Sequence, residues 1–322
     1  VRFLTLLLLA LIFPCCAWAQ TDGELVQRVE ALEQRVASLE AQHRKLLGVM
    51  SVMHYIHEAK DGRRVAVTDG DQVIANLVIG QRDWGESRPE DVAAVAVSVA
   101  KTIFAAIAPQ DTPTILILRS EHGPRALSNR GPNNEYIILL NTRDRLWAQL
   151  SYQLAHEFGH VLCRDLNEHA PQHWFEEAFC EAMSIWTLEK MAQSWKTDPP
   201  YDAWASYAES LAQYVADVRS KVQPPNDFGV WYAAHRRFLD GEPYDRDKNR
   251  IIASHIATQA NARPDYLRAF QHLRATPPDS NTIESLFQVW HSSCENDLQF
   301  VPRDLANLLG VRDPGQTLLP NQ

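Results

Sequence analysis

The sequence predicts an α+β fold: a small mixed β-sheet with two functional-looking helices, then a helical region, all preceded by a long helix of coiled-coil character. Three observations predict it. The β-rich runs are confined to residues 63–140. Beyond residue 143 the pattern is helical, cut by Pro199-Pro200, Pro224-Pro225 and Pro277-Pro278. Residues 24–47 carry a leucine every seventh position. The chain has 322 residues, 45% of them hydrophobic, enough to bury a sizeable core in one or two domains. With 31 Lys and Arg against 40 Asp and Glu, its formal charge of −9 argues against a general nucleic-acid binder, which needs a basic face.

Residues 1–19 read as a secretory signal. Arg2 supplies the positive start, the apolar run 3–13 is too short to span a bilayer, and Ala17-Trp18-Ala19 is a small-residue cleavage site before Gln20. Val1 fits a GTG start, so the expected location is a bacterial periplasm or the outside, with no retained membrane span. Cys15 and Cys16 leave with the signal. Cys163, Cys180 and Cys294 remain, an odd number. Residues 20–50 form a stalk. Leu25, Leu32, Leu39 and Leu46 fall at d; Val29, Val36 and His43 fall at a. Arg28 and Arg35 at g precede Glu33 and Glu40 at e by five residues, the spacing for pairing across parallel helices. A parallel homodimer through residues 24–47 is expected.

Runs 63–67 and 73–79 flank Thr68-Asp69-Gly70-Asp71-Gln72, a hairpin signal. Residues 89–108 read as an Ala/Val-rich helix with Pro89 in its first turn. Strands are expected at 114–118 and 136–140, the latter as a sheet edge along which an extended peptide could pair. Helices follow at 143–163 and 172–194. The division is then 60–195 for the α+β domain, 196–312 for a helical region completing a cleft, and 313–322 for a loose tail.

The chemistry lies in His156-Glu157-Phe158-Gly159-His160. Histidines at i and i+4 share one helix face, so both imidazoles reach a single ion, and Glu157 beside them can take a proton from water. A catalytic zinc wants three protein donors and an open position. The next helix offers Trp174-Phe175-Glu176-Glu177-Ala178-Phe179-Cys180-Glu181. Glu177 is the expected third donor, favoured over Glu176 by its Trp/Phe context. Glu181, one turn on, can accept the free ring N–H of His156. His169 and His173 are rival donors. Cys163 and Cys180 each follow a metal donor by three residues. On antiparallel helices they would be displaced by roughly 9 Å, beyond disulfide reach.

These residues resemble a gluzincin metallopeptidase of the thermolysin and aminopeptidase N superfamily. His156-Glu157-x-x-His160 is followed after 16 intervening residues by Trp174-Phe175-Glu176-Glu177-Ala178-Phe179. The aminopeptidase N group has W-L-x-E-G-F-A there, so Glu177 takes the position of the ligand Glu and Ala178 that of its Gly. The resemblance covers residues 153–183 and implies a zincin-like domain, a Zn2+ ion on His156, His160 and Glu177, and Glu157 as general base. The chain departs from the aminopeptidases in lacking a G-x-M-E-N segment, which holds a substrate's free amine, and in a slightly shorter spacing. The metzincin pattern fails, because Cys163 and Leu166 stand where Gly and His are required.

In this superfamily a Tyr or His from the later helical region stabilises the oxyanion. Trp231-Tyr232-Ala233-Ala234-His235 is similar to that helix start, so Tyr232 is the expected donor and His235 the second choice, with Tyr207, Tyr214 and Tyr244 as alternatives. The implied activity is zinc-dependent hydrolysis of a peptide or protein substrate. The alternative is a zinc-stabilised envelope scaffold or peptide-binding protein without turnover, dimeric through its stalk.

Overall fold

The computed structural model describes residues 22–108, 111–163, 172–273 and 282–315. The signal segment, His169, Pro277-Pro278 and the end of the tail lie outside them. The chain divides into two compact units, 1–51 and 52–322. In the first, helix α1 (Asp22–Glu58, continuing beyond the unit) leaves Val29, Leu32, Val36, Leu39 and Leu46 exposed, as an apolar heptad face on a single helix must be. Among the described residues no helix is long and apolar enough to cross a membrane.

The second unit is built on a mixed five-stranded sheet in the order β1-β2-β3-β5-β4. Strands β1 (Arg63–Asp69) and β2 (Gln72–Ile79) form the expected hairpin, with Gly70 at the turn in the left-handed region at φ 56°. Helix α2 (Pro89–Ile107) carries the chain across to β3 (Thr114–Arg119), parallel to β2. Strand β5 (Tyr136–Leu140) is parallel to β3, and the two-residue β4 (Arg125–Ala126) pairs antiparallel to β5 from outside. The alternation of strand residues sorts the core into two faces. Ile115, Ile117, Ile138 and Leu140 join α2 and the later helices, whereas Leu116, Leu118, Ile137 and Leu139 pack with Val52, Tyr55 and Ile56.

The 136–140 segment is therefore an inner strand, buried at all five positions, and not the sheet edge expected from sequence. The edge on that side is β4, too short to register as a periodic strand.

The two helices of the motif are α3 (Trp147–Leu162) and α4 (His173–Ser194). Helix α3 begins four residues later than expected. Asp144 adopts φ 56°, and its carboxylate and backbone bond Glu86, Ser87 and Trp84, so residues 143–146 are tied to that loop instead of winding. Helices α3 and α4 touch at Gly159: a Cβ there would sit 2.6 Å from the Cys180 sulfur. Only glycine lets the backbones approach this closely.

The rest is helical, as the proline breaks imply: α5 (Ala208–Ser220), α6 (Phe228–Gly241), α7 (Arg246–Ala262), α8 (Asp265–Phe270), α9 (Ile283–Ser293) and α10 (Phe300–Leu308). Asp227, Asp245 and Thr282 cap α6, α7 and α9 by accepting from the backbone N–H three residues on. Phe175 and Phe179 of α4 anchor this layer against Phe270, Phe287 and Trp290. No disulfide joins Cys163, Cys180 or Cys294, all three of them buried.

Candidate metal centre

Helix α3 is buried on nearly every side, and its one less buried stripe, Gln149, Gln153, His156 and His160, lines a cavity of about 620 Å³. His156 and His160, one turn apart, both line it, with ring centroids 5.1 Å apart. Helix α4 brings Glu177 to the same place. His156 Nε2 lies 3.2 Å from Glu177 Oε2, and His160 Nε2 lies 3.5 Å from Glu177 Oε1. A tetrahedral zinc with bonds of about 2.0–2.1 Å has edges near 3.3 Å between its donors. The two nitrogen-to-carboxylate distances, each to a different Glu177 oxygen, are close to that edge length.

The opposite ring nitrogens explain how the imidazoles are aimed. His160 Nδ1 donates to Glu176 Oε1 at 2.7 Å, which turns Nε2 toward Glu177. His156 Nδ1 faces Glu181 Oε2 at 3.8 Å, a charge contact too long for the hydrogen bond expected from sequence. Glu181 is instead held by Arg250 of α7, whose Nε donates to Oε1 at 2.9 Å. His173, in the first turn of α4, places Nδ1 and Nε2 each 3.2 Å from Glu176 Oε2 and Glu177 Oε1.

A second grouping competes. His156, His160 and Cys180 also bring donor atoms within 4.8 Å of one another. The sulfur is fully buried and does not line the cavity. Cys180 follows Glu176 by four residues and so shares its helix face, on the Nδ1 side of His160. An ion held there would be walled off from any substrate. The Glu177 arrangement, by contrast, opens onto the cavity.

Electrostatics follow from crowding. Burial opposes charge on His156 and His160, yet both are raised: His156 by Glu177, His160 by Cys180 and Glu176. Burial likewise opposes charge on His173, but Glu176 and Glu177 hold it up at about 9. Burial would lift Glu177, but His156 and His173 carry it far below the carboxylate range. Glu157 is 2% exposed. Burial pushes it up against the pull of His156 and His160, and the Ala126 backbone N–H donates to it, so the sheet edge meets the acid.

Tyr232 requires a correction. It is 3% exposed, packs its ring 5.7 Å from Trp174 and does not line the cavity. The stripe of α6 that carries it faces the aromatic core. His235 is likewise turned to the Trp231 carbonyl. The tyrosines that line the cavity are Tyr136, Tyr152, Tyr214 and Tyr244, and Tyr244 meets the His173 ring edge-on at 5.6 Å. Sequence reading also missed Arg250 and the role of Glu176. Arg250 had a signal: it lies on the buried stripe of α7 with Ala253, Ala257 and Ala260, where a cation needs a partner.

No protein-family model matches the chain, and no curated protein matches it. Among solved structures it is similar to an aminopeptidase N family protein from Idiomarina loihiensis, with a TM-score of 0.43 and 13% identity over 80% of this chain and 45% of that one. It is similar also to the M1 zinc metallopeptidase from Deinococcus radiodurans, with a TM-score of 0.43 and 11% identity over 81% of this chain and 53% of that one. The chain spans about half the length of these structures.

Proposed function

We propose that the protein is a zinc-dependent peptidase. The observation that carries this reading is the convergence of His156 Nε2, His160 Nε2 and Glu177 within 3.5 Å contacts on the wall of a cavity that Glu157 also lines. His156, His160 and Glu177 would hold the ion. When bound, zinc supplies Lewis acidity, activating water and polarising the substrate carbonyl.

The chain's own residues do the rest. Glu157, raised by burial, takes the proton of the attacking water and returns it to the departing amine. Glu176 fixes the His160 imidazole from its Nδ1 side, and Glu181, held by Arg250, faces that of His156 as a charge. β4 offers its outer edge to an extended peptide beside Glu157. Tyr214 and Tyr244 replace Tyr232 as candidate oxyanion donors, since their side chains reach the cavity.

The test is zinc content measured together with hydrolysis of a denatured protein substrate. One zinc per chain is expected, with cleavage that a chelator stops and added zinc restores. Full metal occupancy without cleavage of any peptide would favour the scaffold reading instead.

The exposed heptad face of α1 supports assembly into a parallel homodimer through residues 24–47. Leu32→Glu with Leu39→Glu is expected to give a monomer by light scattering while the second unit keeps its thermal transition. An unchanged mass would remove the stalk from the interface.

A further inference from the structure

We propose that the cleft recognises its peptide through carboxylate groups, held by cations at its mouth. This rests on the peptidase reading for the place of the scissile bond. Five cationic side chains line the cavity: Arg125, Arg130, Lys221, Arg246 and Arg250. Two of them are engaged. Arg250 holds Glu181, and Arg130 lies 3.8 Å over the Tyr136 ring and donates to Asn134.

The acids of the cavity are engaged too. Glu176 and Glu177 meet the histidines, Glu181 meets Arg250, and Glu157 accepts from Ala126. Arg125, Lys221 and Arg246 are exposed and have no carboxylate within 4.0 Å among the described residues. The acids nearest Arg246 in sequence are committed elsewhere, Asp245 to Lys248 and Asp247 to Arg250.

The placement is not what local preference would select. Arg246 is the first residue of α7, where the helix dipole disfavours a cation. Arg125 sits on the edge strand itself. In a chain with nine more acids than bases, three cations around one opening, none paired with a carboxylate among the described residues, form a local positive field. Such a field suits carboxylates, which arginine can grip with two parallel hydrogen bonds. The carboxylates can come from a free C-terminus or from Asp and Glu side chains.

The experiment measures binding of labelled ten-residue peptides by fluorescence anisotropy to full-length Glu157→Gln loaded with zinc. One peptide flanks its centre with Glu, one with Ser and one with Lys, each made as free acid and as C-terminal amide. At low salt the Glu peptide is expected to bind about tenfold tighter than the Ser peptide, with the advantage shrinking as salt rises. A combined Lys221→Glu, Arg246→Glu change in the same background should erase it. Lys221→Gln with Arg246→Gln, checked for an unchanged melting temperature, should weaken it. Loss of affinity on amidation assigns the C-terminal carboxylate; loss only on replacing Glu assigns the side chains. Equal binding of the Glu and Ser peptides together with indifference to amidation, preference for the Lys peptide, or indifference to the charge changes overturns the proposal. Acidic peptides bound in this way but never cut by the wild type would defeat the peptidase reading and leave this one standing.

Discussion

Glu157→Gln is expected to lower peptide hydrolysis by about 10²–10⁴-fold while leaving one zinc per chain. The amide keeps the shape of the carboxylate and can still accept from the Ala126 N–H, so the wall of the cavity stays intact. What it loses is the ability to take a proton. Burial lifts the Glu157 carboxyl from its ordinary value, which brings it closer to the neutral range in which it must exchange that proton. A structural ion on the two histidines would have no need of this acid, so the same variant separates the peptidase from the scaffold. Activity within a few fold of wild type would sink the proposed mechanism.

Glu177→Ala is expected to weaken zinc by more than about 100-fold, and Cys180→Ser to leave its affinity nearly unchanged. The pair of variants discriminates between the two groupings around the histidines. Glu177 meets the Nε2 atoms of both imidazoles at 3.2 and 3.5 Å. Cys180 lies sealed between α3 and α4, and burial pushes its thiol up to about 12. Titration with a chromophoric zinc chelator reads both affinities. Zinc held normally by Glu177→Ala and lost by Cys180→Ser would move the ion to the buried side and away from substrate.

What could be read from sequence was what neighbours along the chain decide. The two histidines share a helix face because they are four residues apart, whatever surrounds them. The hairpin, α2 with its leading proline, and the helical breaks at Pro199-Pro200 and Pro224-Pro225 follow from similarly local rules. Contacts between distant segments were not legible. Arg250 meets Glu181 across 69 residues, and no spacing rule predicts that. The edge strand β4 exists only because β5 offers it a partner. Tyr232 looked like a donor by its position in a helix start, but which stripe of that helix faces the cleft is settled by packing against Trp174. The start of α3 was misplaced for the same reason, since Asp144 answers to a loop 58 residues away.

The contact between Gly159 and Cys180 has a consequence for which ions the centre can accept. The two helices meet at Gly159 with no room for a Cβ, which fixes how closely the main chain that carries Glu177 stands to the one that carries the histidines. Such a bite resists stretching. Calcium, whose oxygen contacts run to about 2.3–2.6 Å and number six to eight, would have to wedge the helices apart to enter. A methyl at position 159 would act as a permanent shim of the same kind, so the smallest side chain in the motif would govern the fit of an ion it does not touch.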